Sequence, residues 1–402
     1  MKVRIEKGVA YGKISAPPSK SMAHRLLISA ALSNGRSVLR GVSDCEDVRA
    51  TERCLRALGA KFEKCGDVFT VYGTNARRSA PTLPLDCNES GSTLRFIIPV
   101  AALSDAPISF TGAGRLMQRP MSVYEKLFFE KGIYYCSDEE IITVKGALTG
   151  GEYCVAGNVS SQFISGLIFA LPLAERDSYI KIIPPIESLP YINLTLEAVS
   201  RFGIKADFID ECTIKIPGSQ TYKPADVTVE GDYSGAAFIE SLNLFGGNVE
   251  VSGLEPESLQ GDKIYKEHFK MLKVGTPTIN IENCPDSGPI YFAIAAALNG
   301  ATFTGTKRLK IKESDRASAM ASELSKLGVK VEISENSAVI HKTQIKTPGE
   351  VLSSHNDHRI AMALSVLLTL VGGEIEGAEA INKSYPDFFG DLVKLGIGVS
   401  LE

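Results

Sequence analysis

Residues 286–303 read DSGPIYFAIAAALNGATF, and residues 312–333 read KESDRASAMASELSKLGVKVEI. A small polar opening, Asp286-Ser287-Gly288, leads into an apolar helical run from Ile290 to Leu298. A glycine-marked turn and a β-rich run, Gly300 to Phe303, come next. A charged amphipathic helix then stops at Leu327-Gly328, where glycine can take the left-handed conformation that ends a helix. Beyond it Val329-Lys330-Val331-Glu332-Ile333 alternates with period two, the pattern of a half-buried strand. The first helix is apolar nearly all round and so predicts burial, whereas the second predicts one wet face.

The same plan recurs along the chain in both directions. Ser19-Lys20-Ser21, Ser90-Gly91-Ser92, Ser160-Ser161-Gln162, Ser234-Gly235-Ala236 and Asn356-Asp357-His358 are openings of the same kind, most of them roughly 70 residues apart as in a diverged repeat. Apolar runs follow at Leu26 to Leu32 and Phe163 to Leu171, and β-rich runs at Gly35 to Leu39, Gly247 to Val251 and Gly373 to Ile375. Capping glycines recur at Leu58-Gly59, Lys131-Gly132, Phe202-Gly203 and Leu395-Gly396, while the fourth copy ends on Met271-Leu272-Lys273-Val274 without that signal. The pattern predicts a mixed α/β chain of six βαβαββ units, split most simply into two domains of three. Proline punctuation at Ala16-Pro17-Pro18 and near Pro224 marks two crossings. One domain is therefore expected over 17–229, and a discontinuous one over 1–16 with 230–402.

The chain has 402 residues, 44% hydrophobic and 22% charged, with a net charge of −4. An acidic chain without a Lys/Arg run has no long-range attraction for nucleic acid, so none is expected as a partner. The first twelve residues carry no signal-peptide core. The apolar stretch Ile360 to Val371 is too short to span a bilayer, so no membrane partner and a cytoplasmic location are expected. Eight cysteines stand singly, as reduced thiols do, and five histidines show no HxxxH or HExxH spacing, so no metal is expected.

Near the openings or on loops stand Lys20, Arg25, Arg119, Lys312, Arg316, Arg359 and Lys383. A helix N-terminus already offers free N–H groups and the positive end of a dipole, and a guanidinium or ammonium beside it makes a strong site for phosphate or carboxylate. Most cations of any chain are solvated surface charges. These sit inside small-residue motifs, which singles them out.

Seven of those motifs, in order, resemble the 5-enolpyruvylshikimate-3-phosphate synthase family of enolpyruvyl transferases. They are Ala16-Pro-Pro-Ser-Lys-Ser-Met-Ala-His-Arg25, Glu89-Ser-Gly-Ser-Thr-Leu-Arg95, Gln118-Arg-Pro-Met121, Val159-Ser-Ser-Gln162, Lys312-Glu-Ser-Asp-Arg316, Asn356-Asp-His-Arg359 and Lys383-Ser-Tyr-Pro-Asp387. The resemblance implies a two-domain inside-out α/β barrel-like fold with the site in the interdomain cleft, and a monomer without metal or organic cofactor. It implies transfer of the enolpyruvyl group of phosphoenolpyruvate to the 5-hydroxyl of shikimate 3-phosphate, with release of phosphate, in the shikimate pathway. Lys20, Ser21, Arg25, Ser160, Ser161, Gln162, Ser188, Tyr191, Asp286 and Lys312 are then expected on shikimate 3-phosphate. Lys20, Gly91, Arg119, Gln162, Arg316, Arg359 and Lys383 are expected on phosphoenolpyruvate. Asp286, Glu313, Lys20, His358 and Lys383 are the expected catalytic groups, Asp286 at the hydroxyl and Glu313 at the methylene carbon. Inhibition by glyphosate in the phosphoenolpyruvate pocket is implied as well.

Two positions depart from the family's usual residues: Glu89, where many relatives carry Asn, and Arg308, where some do. The sister transferase acting on UDP-N-acetylglucosamine, on the same fold, usually has a cysteine in the loop before the residue matching Arg119, but Gly112-Ala-Gly-Arg-Leu-Met-Gln118 has none. A non-catalytic anion-binding scaffold is the rival of another class. Asp286 and Glu313 among the cations disfavour it, because a pure anion receptor gains nothing from added carboxylates.

Overall fold

A computed structural model describes residues 1–74, 81–146 and 148–402. Its contacts divide the chain into two compact units, one of Pro18–Glu230 and one of Met1–Pro17 with Gly231–Glu402.

The continuous unit holds three copies of one plan. The first is α1 (Lys20–Leu32), strand Gly35–Arg40, α2 (Glu46–Ala57) and the hairpin Lys61–Cys65/Val68–Gly73. The second runs through strand Leu85–Asp86, α3 (Gly91–Ala101), strand Ile108–Thr111, α4 (Ser122–Glu130) and the hairpin Tyr134–Ser137/Ile141–Lys145. The third consists of strand Glu152–Ala156, α5 (Ser161–Ala170), strand Ser178–Ile183, α6 (Leu189–Ser200) and the pair Asp207–Phe208/Thr213–Ile216. In each sheet the strand before the apolar helix lies parallel to the strand after it, and the hairpin continues antiparallel, as in Glu152↔Tyr179 and then Ser178↔Ile216. The first copy lacks a leading strand of its own. Asp226–Thr228, at the end of the unit, takes that place parallel to Val38–Arg40 and closes the unit on itself.

The discontinuous unit repeats the plan. It begins with strand Tyr11–Ser15, α7 (Tyr233–Glu240), strand Asn248–Ser252 and α8 (Tyr265–Val274), a copy reduced to a two-stranded parallel sheet. Strand Thr278–Asn280, α9 (Gly288–Ala297), strand Ala301–Thr304, α10 (Arg316–Lys326) and the hairpin Val331–Ile333/Ser337–Ile340 form the next. The last has Leu352–Ser353, α11 (His358–Leu368), Gly373–Glu376, α12 (Phe388–Lys394) and Val399–Leu401, and the N-terminal strand Lys2–Ile5 fills the inner position.

Burial follows the sequence pattern. In α1, α5, α9 and α11 nearly every residue is buried, so these helices sit inside a core rather than upon it. In α2 the buried positions Asp47, Val48, Ala50, Thr51, Cys54 and Leu55 form one stripe, and the other charged residues lie toward water. The capping glycines Gly59, Gly132, Gly203, Gly328 and Gly396 all have φ between +67° and +106°, a range that costs a side chain dearly. A glycine, Gly275, does follow the fourth copy's second helix, but it is extended at φ −165°, so that helix ends without the left-handed glycine cap of the others. One core runs from Met22 to Val229, the other from Val3 to Ile14 and Tyr233 to Ile397. No helix among the described residues is long and apolar enough to cross a membrane.

Candidate active site

In the continuous unit the serines of the sequence openings are true helix caps. Ser19, Ser90 and Ser160 accept from the N–H groups of Met22, Thr93 and Gln162, which leaves the N-termini of α1, α3 and α5 ordered. A chain of short hydrogen bonds ties α1 to α3 through α2. His24 Nδ1 meets Thr51 Oγ1 at 2.7 Å, which meets Thr93 Oγ1 at 2.6 Å, and Thr93 Oγ1 donates to Ser90 Oγ at 2.7 Å.

Two clusters lie on this frame. Arg25, only 3% exposed, donates through Nε to Thr195 Oγ1 (2.8 Å) and through its terminal nitrogens to the carbonyls of Ser21 (2.7 Å) and Tyr191 (3.0 Å), with its guanidinium over the Phe96 ring. All three partners are neutral oxygens. Burial pulls its pKa down to about 10, with only Tyr191 working against the shift. A buried guanidinium of this kind gains from an anionic ligand. Ser188, 1% exposed at φ +57°, opens α6, which carries Tyr191.

The second cluster centres on Gly91. A Cβ there would lie 2.6 Å from a terminal nitrogen of Arg119, 3.5 Å from one of Arg95 and 3.6 Å from Gln162 Oε1, so only glycine admits this approach. Arg95 donates to Gln162 Oε1 (2.7 Å), and Gln162 Nε2 donates to Ser92 Oγ (3.0 Å). Lys20 pairs with the nearly buried Asp47 at 2.8 Å. Ser160 and Ser161 are both buried at the start of α5. The Glu89 carboxylate turns onto Gly114, where an added Cβ would come within 2.6 Å of Oε2.

In the discontinuous unit the hub is Arg316, 1% exposed at the first position of α10. It donates to Asp357 (2.8 Å), Glu313 (2.7 Å) and Asp286 (2.7 Å). Burial opposes its charge, but these three carboxylates outweigh burial and hold it firmly protonated. Asp286 also meets Lys312 at 3.1 Å and Arg359 at 3.7 Å. Burial works against the Asp286 charge, yet Lys312, Arg359 and Arg316 prevail and hold its carboxyl well below the usual range. The Lys312 pKa falls as well, but here against its own charge: burial pulls it down to about 8, more than Asp286 restores.

Asp357 caps α11, so that Arg359 N–H donates to it at 2.9 Å, while its other oxygen accepts from Ser314 and Arg316. Arg359 reaches across to Ser234 Oγ at 2.5 Å. Beneath it Asp232 caps α7, its pKa raised to about 6 by burial, with Arg359 opposing and Asp262 adding to the rise. Lys383, 4% exposed, donates to the Asn356 carbonyl at 2.6 Å, and His358 is buried at the start of α11. Arg308 is buried in the turn Lys307–Ile311.

The expected residues thus fall into two sets. Lys20, Ser21, Arg25, Gly91, Arg119, Ser160, Ser161, Gln162, Ser188 and Tyr191 belong to the continuous unit, and Asp286, Lys312, Glu313, Arg316, His358, Arg359 and Lys383 to the other. Asp47, Arg95, Thr195, Ser234 and Asp357 are not among the site residues expected from the sequence, yet each holds one. Arg95 and Asp357 stand inside quoted motifs, where a cap or a cation adjoining a small residue was the available signal. Thr195 and Asp47 carry no local signal.

A family model described as EPSP synthase (3-phosphoshikimate 1-carboxyvinyltransferase) matches residues 6–392. A 3-phosphoshikimate 1-carboxyvinyltransferase of Clostridium kluyveri is 39% identical, with 96% of this chain and 95% of the relative covered. One of Clostridium botulinum is 40% identical, with 98% and 97% covered. In fold the chain is similar to an EPSP synthase of Acinetobacter baumannii, at a TM-score of 0.79 and 22% identity over the full length of both. It is also similar to the enolpyruvyl transferase NikO of Streptomyces tendae, at a TM-score of 0.81 and 15% identity, with 99% and 98% covered. The match along nearly the whole chain, together with carboxylates and cations in the pattern described, means that this chain belongs to the EPSP synthase family of transferases, the 3-phosphoshikimate 1-carboxyvinyltransferases.

Proposed function

We propose that the two sets of residues serve one reaction, in which phosphoenolpyruvate and shikimate 3-phosphate give enolpyruvylshikimate phosphate and inorganic phosphate. The observation that carries the residue roles is the Arg316 hub, which presents Asp286 and Glu313 side by side among cations. Arg25, Ser21, Ser160, Ser161, Gln162, Ser188, Tyr191 and Lys312 hold shikimate 3-phosphate. Gly91, Arg119, Arg359, Lys383, Arg316 and Gln162 hold phosphoenolpyruvate, with Lys20 reaching both. Arg95 and Asp47 support Gln162 and Lys20.

The 5-hydroxyl oxygen adds to C2 of phosphoenolpyruvate, its proton passing to Asp286, while C3 gains a proton through Glu313 and becomes a methyl group. The tetrahedral adduct then loses phosphate as C3 gives its proton back, restoring the double bond. Asp286 held down by three cations is a weak base while no substrate is bound. Two polyanions compete for those same cations, so their arrival raises the basicity of Asp286 when it is needed. Cations drawn from several helices also remove the repulsion between the two anions and fix their orientation.

The reading carries with it a monomeric, cofactor-free cytoplasmic enzyme. It is tested by kinetics of Asp286→Asn and Glu313→Gln. Each should lower kcat by roughly 10²- to 10⁴-fold while shikimate 3-phosphate still binds. Unchanged kcat in either variant would remove that carboxylate from the chemistry.

A further inference from the structure

A carboxylate with no part in the proposed chemistry holds the turn on which Lys383 rests. Helix α10 presents Arg316 and Glu323 on one face, two turns apart, and both are 1% exposed. Arg316 grips Asp357. Glu323 accepts from Ser353 N–H at 2.9 Å, meets His355 Nε2 at 2.8 Å and pairs with Lys326 at 3.1 Å. Between these two grips the chain passes through successive left-handed residues, His355 at φ +50° and Asn356 at φ +54°, a conformation uncommon for a residue with a Cβ. Ser354 steadies the turn as well, accepting from Asn356 N–H at 3.2 Å and donating to the Gly377 carbonyl at 2.8 Å. The turn aims the Asn356 carbonyl at Lys383 Nζ, 2.6 Å away.

The geometry points to Glu323 as a positioning residue for Lys383. It acts through His355, fixing the left-handed turn 355–356 so that the Asn356 carbonyl holds the lysine ammonium in place. The consequence for catalysis rests on the reading of Lys383 as a phosphoenolpyruvate ligand; the structural consequence does not.

The test has two arms. Crystals of Glu323→Ala and of His355→Asn, the second chosen because Asn tolerates left-handed backbone, should show Lys383 withdrawn from the Asn356 carbonyl. A Lys383–Asn356 contact kept in both variants would overturn the inference, whatever the enzyme does. In the kinetic arm both variants should raise KM for phosphoenolpyruvate by about ten- to a hundredfold, as small misplacements of a binding group do. The calorimetric Kd for shikimate 3-phosphate alone should stay unchanged. In a Lys383→Ala background the Glu323→Ala change should add nothing to KM. A merely structural Glu323 would lower the melting temperature and leave both the Lys383–Asn356 contact and KM alone, and that result contradicts the proposal, as would additive effects with Lys383→Ala. Should Glu323→Ala fail to fold, His355→Asn decides both arms. Variants with a displaced Lys383 but unaltered KM would count against Lys383 as a phosphoenolpyruvate ligand, leaving the positioning role intact.

Discussion

Arg25 spends its hydrogen bonds on a hydroxyl and two carbonyls, and no carboxylate neutralises it. Arg316 spends its own on three carboxylates. The two arginines should therefore respond differently to substitution. Arg25→Lys should keep the fold and weaken shikimate 3-phosphate by about 2 kcal/mol, the usual size for a charge-assisted contact, read by calorimetry. Arg316→Ala takes the shared cation from the fully buried Asp357 and the half-buried Asp286 and Glu313, so it should destabilise the protein by about 3–5 kcal/mol in a melting experiment. Lys312 gives a pH test. Burial sets its pKa at about 8, so its positive charge is lost as pH rises through that value, and kcat/KM for shikimate 3-phosphate should fall on that limb. Lys312→Arg should remove the limb, because a guanidinium does not titrate there. The sequence made these cations visible because they sit in small-residue motifs. It did not show that Arg316 is a hub, since only Glu313 is a local partner, while Asp286 and Asp357 come from distant segments whose meeting has no local signature.

The helices matter through their first turns. The approach of α5 to α3 depends on Gly166, where a Cβ would sit 2.3 Å from the Tyr124 hydroxyl and 2.4 Å from the Arg95 carbonyl. Tyr124 itself donates to that carbonyl at 2.7 Å. Gly166→Ala should therefore cost about 1–3 kcal/mol by overpacking and push Arg95 off Gln162, lowering the melting temperature. Gly91→Ala acts on ligand rather than fold: its methyl group crowds Arg119, so KM for phosphoenolpyruvate should rise and inhibition by glyphosate should weaken. The buried helices and the glycine caps of the amphipathic ones were legible because both are local patterns. The cap of α7 lies outside the opening Ser234-Gly235-Ala236: Asp232, two residues before it, accepts the N–H of Ser234.

At the scale of the whole chain each unit completes its sheets with a strand borrowed from its far end. Lys2–Ile5 pairs with Gly373–Glu376 on one side and Val399–Leu401 on the other, although nearly the whole sequence separates them. Asp226–Thr228 does the same for the first copy of the continuous unit. Periodicity announces six copies but cannot say which distant strand fills a vacant place, because pairing register is set by tertiary contact. Removing residues 1–6 should therefore strip the inner strand from the last sheet and leave insoluble or unfolded protein, judged by circular dichroism against the full-length chain.

The most direct measurement is release of inorganic phosphate by the purified protein given phosphoenolpyruvate with shikimate 3-phosphate, and separately with UDP-N-acetylglucosamine. Phosphate formed one-for-one with enolpyruvylshikimate phosphate, only in the first mixture and abolished by Asp286→Asn, is the predicted result. No phosphate from the first mixture, or phosphate from the nucleotide sugar alone, would contradict the account.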